Sequence, residues 1–239
     1  MATATITPET VQATAQIPVE PVKGDQHVVF LGIGWEGYEI LLKVQGEKGR
    51  PQLICLNGDV LLMSPSRIHE RITDRLGLFV REIVVELDIP CEPTRETTFR
   101  RPDLEVGVQP DDSFYLANYR AMAAKVGKED VDLRVDPPPD LVIEVVHTHS
   151  AKDAVEVLRR LGVPEVWVGD VEHGLRILVL SNDGQYHESN KSVCFPFLTA
   201  AEIFEWAARP GMASMTQWVK QLRQWTREVL VPRVQEPDK

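Results

Sequence analysis

The stretch PPPDLVIEVVHTHSAKD, Pro137 to Asp153, places a single carboxylate, Glu144, among the strand-formers Leu141, Val142, Ile143, Val145 and Val146. An apolar run of this length, bounded by prolines and a Ser/Thr/His cluster, reads as a strand buried on both faces. An unpaired carboxylate buried there costs several kcal/mol, so Glu144 requires a cation, a metal or a proton. A structural bridge to Arg159 or another cation is one answer, and a metal site is another.

The rest of the chain supplies the frame for that strand. Asn57-Gly58 lies between two apolar runs in QLICLNGDVLLMSP and predicts a hairpin. From Ser66 to Asp88, Ile72, Leu76, Phe79, Ile83 and Leu87 recur at helical spacing, with Ser66 placed to cap the helix. GWEGYEILLKVQ predicts a shorter helix before the hairpin, and Asp112–Leu116 a strand after the long helix. A helix over Ser150–Leu161 follows the Glu144 strand, with Ser150 and Asp153 as a capping box and Gly162 as its stop. VPEVWVGD reads as a strand, Asp183-Gly184 as a second hairpin turn, and Thr199 with Glu202 as a capping box. Helices alternating with strands and hairpins imply an α/β fold, a mixed sheet flanked by helices.

At 239 residues, one large domain is expected over residues 27–209, with a flexible tail over 1–26 and a C-terminal helix and tail over 210–239. The first segment has no basic region and no long apolar run, so it reads as neither signal peptide nor membrane span. Cys55, Cys91 and Cys194 are scattered without metal spacing, which suggests a reducing, cytoplasmic compartment. The net charge of −10 counts against strong autonomous binding of duplex DNA, because such modules are usually basic.

Asp111, in QPDDSFYL, immediately precedes the Asp112–Leu116 strand, and Glu144 sits inside its own. If the two strands are neighbours, their carboxylates meet and form a site for Mg²⁺ or Mn²⁺. Asp103, in RPDLEV, is a competing Pro-Asp pair with a weaker strand signal after it.

The pieces NGDVLLMSPSRIHERI, TTFRRPDLEVGVQPDDSFYL, DPPPDLVIEV and LGVPEVWVGD together resemble the PD-(D/E)XK nuclease superfamily. In particular they are similar to the Uma-two family of bacterial endonucleases, from about the Asn57-Gly58 hairpin to the FPFL segment. The resemblance implies a restriction-endonuclease-like core with C-terminal helices, and a Mg²⁺- or Mn²⁺-dependent nuclease acting on DNA. It implies that Asp111 and Glu144 bind the metal and that His69, on the inner face of the long helix, supports the site. The acidic balance does not exclude such a centre, whose acidic site is offset when divalent ions bind, but it also supports the rival reading of a fold that has lost catalysis.

The chain departs from the pattern at the motif lysine. The usual position holds Val146, and the position on the following helix holds Ala154. Lys152, two residues before Ala154, is the lysine offered instead, from the first helical turn. His147 and His149 stand where the resemblance has small hydroxyl residues, and ordinary hydrogen bonding is their simpler reading. Arg100 and Arg101 are candidates for phosphate contact. Trp206, Trp218 and Trp225 read as packing or dimer contacts rather than a base-stacking platform. The rival reading is a nuclease fold that has lost catalysis and acts as a binding protein or a homodimeric interaction protein.

Overall fold

The computed structural model describes residues 24–46, 49–125, 131–146, 151–170, 172–209 and 214–235. Strand β1 (Gln26–Phe30) leads into helix α1 (Gly34–Gln45), and β2 (Gln52–Leu56) and β3 (Asp59–Ser64) form the expected hairpin. Both turn residues take positive φ, 54° at Asn57 and 85° at Gly58, which is the geometry an Asn-Gly pair tolerates best. Helix α2 (Arg67–Glu86) is capped by Ser66, whose hydroxyl accepts from the His69 N–H at 3.3 Å.

Short strands β4 (Glu92–Pro93), β5 (Phe99–Arg101), β6 (Val106–Val108) and β7 (Asp112–Tyr115) follow, then helix α3 (Tyr119–Ala123) and β8 (Leu141–Val146). Helix α4 (Lys152–Leu161) crosses to the parallel strand β9 (Glu165–Asp170), and Gly162 ends it at φ 78°. The hairpin β10 (Gly174–Leu180) and β11 (Tyr186–Ser189) precedes α5 (Ala200–Ala208), where Thr199 and Glu202 form a reciprocal capping box. Helix α6 (Met215–Trp225), a wide π-helical turn (Thr226–Leu230) and α7 (Val231–Gln235) close the described chain.

The strands make two sheets, ordered β1-β3-β2-β6-β5 and β11-β10-β9-β8-β7-β4. The strands expected to share a sheet, β7, β8 and β9, are adjacent in the second one. One core lies between that sheet and the helices, where Leu76, Phe79 and Ile83 of α2 meet Ile143, Val145 and Trp167. A second core joins the two sheets through α4: Ile54 and Val108 meet Val142 and Val166, with Val157 and Leu158 between. A third, around Tyr38, Leu53 and Val60, lies beneath α1. Alternate residues of β8 therefore feed different cores, which is why its sequence reads apolar throughout.

Some details differ from the sequence expectations. Asp25, buried just before β1, and Gln26, the strand's first residue, fall in the segment read as tail; residues 1–23 lie outside the described residues. Strand β9 runs two residues later than its predicted start. Helix α4 starts from Ala151, which contributes no side-chain cap, and Ser150 lies outside the described residues. Trp206, Trp218 and Trp225 are spent on packing: Trp206 meets Trp218 at 6.0 Å and Trp225 at 5.3 Å between ring centroids. Among the described residues, no helix is long and apolar enough to cross a membrane.

Candidate metal centre

Asp111 sits where the chain passes from the first sheet to the second. Only Gln109, Pro110 and Asp111 separate β6 from β7. Gln109 fixes this crossing against β2: its N–H donates to the Leu53 carbonyl at 3.2 Å, and its side-chain oxygen accepts from the Leu53 N–H at 2.9 Å. In β7 the next residue, Asp112, pairs with Ile143 of β8. The same antiparallel register sets Asp111 opposite Glu144, and opposed residues project from one face within a few ångströms.

Asp111 is held from several sides. Its Oδ1 accepts from Gln52 Nε2 at 2.9 Å, its Oδ2 accepts from the Val145 N–H at 2.7 Å, and His69 Nε2 lies 3.0 Å from both oxygens. The other ring nitrogen, His69 Nδ1, is 3.1 Å from Asp25 Oδ2, while Asp25 Oδ1 accepts from the Ser66 N–H at 2.7 Å. His69 is thus buried between two carboxylates, on the inward face that its helical spacing predicts, with Glu70 turned outward to Arg50.

The electrostatics follow from that arrangement. Burial alone pulls the imidazole pKa down, but the hydrogen bonds to Asp111 and Asp25 prevail and push it up to about 10. Burial opposes ionisation of Asp25 as well, yet its bonds from His69 and Ser66 lower it to about 2. The imidazolium is therefore the resident counter-charge of this pair of acids.

Glu144 has no such partner. It is buried, and its Oε1 has no hydrogen-bond partner among the described residues. Burial raises its pKa well above the ordinary carboxyl range, and the Asp111 charge raises it further, with His69 only partly offsetting this. Arg159, the structural-bridge alternative, instead pairs with Glu156 at 2.8 Å and donates to the Gly184 carbonyl. Among the described residues no group of three or more His, Cys, Asp or Glu side chains is arranged to hold a metal ion. What remains is two opposed carboxylates, one with an orphaned oxygen: a hard-donor set that suits Mg²⁺ or Mn²⁺ keeping several waters.

Glu144 opens onto a cavity of about 200 Å³ between the first sheet and the start of α4. Val146 and Ala154 both line it, so the two positions the resemblance assigns to a lysine face the site but carry apolar side chains. Asp153 and Ala151 also line it, whereas Lys152 is exposed on the first turn of α4 and is not among the lining residues. The structure brings Asp111, Glu144 and His69 together, and Lys152 stands in sequence between the lining residues Ala151 and Asp153. Asp103 lies in an exposed turn, paired with Arg101 at 2.6 Å, and Arg100 pairs with Glu39 at 2.8 Å. His147 and His149 lie outside the described residues.

Sequence reasoning misses Asp25 and Gln52. Neither belongs to a motif, and the only signal near Asp25 is the short strand-like run HVVF behind it. The model of the Uma2 family, described as "Putative restriction endonuclease", matches residues 35–208. A crystal structure of "a putative nuclease belonging to DUF820" from Anabaena variabilis is similar over 81% of this chain and 99% of that one, at 13% identity and a TM-score of 0.49. Curated proteins give no match.

Proposed function

The chain belongs to the Uma2 family, and from that premise we propose that it is a metal-dependent DNA endonuclease whose Asp111 and Glu144 hold Mg²⁺ or Mn²⁺. The observation that carries this reading is the buried, unpartnered Glu144 Oε1 opposite Asp111. A bound divalent ion at this place supplies Lewis-acid polarisation and an acidified water for phosphodiester hydrolysis. The chain's own residues set the geometry. Gln52, the Val145 N–H and His69 fix the Asp111 carboxylate, and His69 is a positioning residue held in turn by Asp25. Lys152 is the cation assigned to stabilise charge on the transferring phosphate, reaching from the first turn of α4.

A homodimer and a cytoplasmic setting belong to the same reading. Among the described residues, Val28, Val29, Phe30 and Leu31 expose apolar surface along the β1 edge of the first sheet, which supports self-association there. The cysteines are all free, which suits a reducing compartment.

One observation favours a second reading, a degenerate nuclease that binds without cutting: Val146 and Ala154 fill both lysine positions at the cavity. A cleavage assay on supercoiled and linear DNA with Mg²⁺ and Mn²⁺ separates the two. The enzyme reading expects weak metal-dependent cleavage that Asp111→Asn abolishes, that Lys152→Ala reduces about as severely, and that Ala154→Lys increases. Cleavage that survives Lys152→Ala but not Asp111→Asn keeps the acids and rejects the lysine. No cleavage in any metal, even after Ala154→Lys, leaves the degenerate protein.

A further inference from the structure

Helix α2 carries a second feature on the side away from His69. Arg67, Arg71 and Arg75 recur every four residues, so they form one row about 12 Å long down the helix. Arg67 and Arg71 are exposed and Arg75 is half-buried. None of the three is in an ion pair among the described residues. Many other arginines are neutralised, among them Arg50 by Glu70 and Glu96, Arg81 by Asp112, Arg134 by Asp132 and Arg223 by Glu82. Asp74 lies next to Arg75 and attracts it through space without pairing.

Like charges at four-residue spacing destabilise a helix by a few tenths of a kcal/mol each. Arg75 also loses solvation: burial and the Arg71 charge both act against its protonated form. Its guanidinium rests 4.6 Å from the Trp218 ring centroid, with Nη1 buried and without a hydrogen-bond partner. Arg209 stacks in the same way on the neighbouring Trp206, at 4.5 Å, and is likewise in no ion pair among the described residues. The N-terminal end of the row lies on the first turn of α2, on the face opposite His69. Arg67 follows Ser66, whose N–H is bonded to Asp25, a residue that lines the Glu144 cavity.

The geometry points to this row as a track that holds the sugar-phosphate backbone of duplex DNA along the outer face of α2. The inference rests on the nuclease reading for its substrate, but binding can be measured without cleavage. Four-residue steps of about 6 Å along a helix let successive guanidinium groups engage successive phosphates, bidentately where the fork allows. In a chain of net charge −10, an unneutralised row confines DNA affinity to one face rather than spreading it.

The test is equilibrium binding of the full chain to a short fluorescent duplex in EDTA, over a series of KCl concentrations. Each phosphate contact contributes about 0.9 to the slope of log K against log salt, so Arg67→Gln with Arg71→Gln should flatten it by about two. Arg134→Gln, which only breaks a surface pair, should leave the slope unchanged, and circular dichroism checks that each variant is folded. Arg75→Gln alone should flatten the slope by about one. An unchanged slope in the double variant overturns the assignment, as does the absence of DNA binding by the parent chain. Loss of binding to phosphatidylserine vesicles, with DNA binding intact, also overturns it and marks the row as a membrane contact. If no metal supports cleavage but the slope flattens as expected, the nuclease reading fails while the backbone track stands.

Discussion

At the scale of single residues, the centre is a contest over which cation neutralises which acid. His69 serves Asp25 and Asp111, so Glu144 is left with a proton unless the proposed metal binds. Its carboxyl pKa is raised, so the folded chain binds that proton more tightly than the unfolded chain does. Stability is then lost as pH rises above the ordinary glutamate value of 4.5, the reverse of a salt-bridged carboxylate. Glu144→Gln removes this penalty: without metal at neutral pH it should stabilise the fold by about 1–3 kcal/mol. That corresponds to ~2–4 °C per kcal/mol in a chain of this size, and the gain should vanish as pH falls toward 4.5. Thermal melts across that range check it, and a destabilised variant at neutral pH would show that Glu144 is already satisfied. Glu144 is legible in the sequence because an acid among β-branched residues is chemically incongruous there. His69 is legible from its place in the apolar spacing of α2. Asp25 is not, because its role depends on a contact across 44 residues of sequence that no local pattern encodes.

Among the elements, α2 does the most positioning, because it carries His69 on one face, the core on another and the arginine row on a third. It faces β7 at Gly77, where an added Cβ would collide with Asp112 and the Arg81 guanidinium that pairs with it. Helix propensity alone favours alanine there by about 1 kcal/mol. The collision costs about 1–3 kcal/mol and pushes on the residue next to Asp111. Gly77→Ala should therefore destabilise the protein in urea denaturation and weaken the metal site; a more stable variant would mean that α2 can move off the sheet. Elements with strong local signals, such as the Asn57-Gly58 hairpin, the Ser66 cap and the Thr199–Glu202 box, are readable because each is decided within a few residues. Strand β1 and the division into two sheets are not. They depend on pairings such as β2 with β6 and on a five-residue strand whose register is set by β3 rather than by its own pattern.

For the whole molecule, the centre is a junction. Asp25 comes from the start of β1 and Gln52 from β2, while Asp111 lies on the crossing between sheets and Glu144 on β8. An ion held by Asp111 and Glu144 therefore acts on the seam between the two sheets. It should stabilise the entire fold by mass action, about 2.7 kcal/mol at a hundredfold excess over Kd. The most direct measurement is a calorimetric titration of the full chain with Mg²⁺ and with Mn²⁺, beside Glu144→Gln under the same conditions. The parent chain should show a single divalent site that disappears in the variant. Identical binding by the two proteins would contradict it.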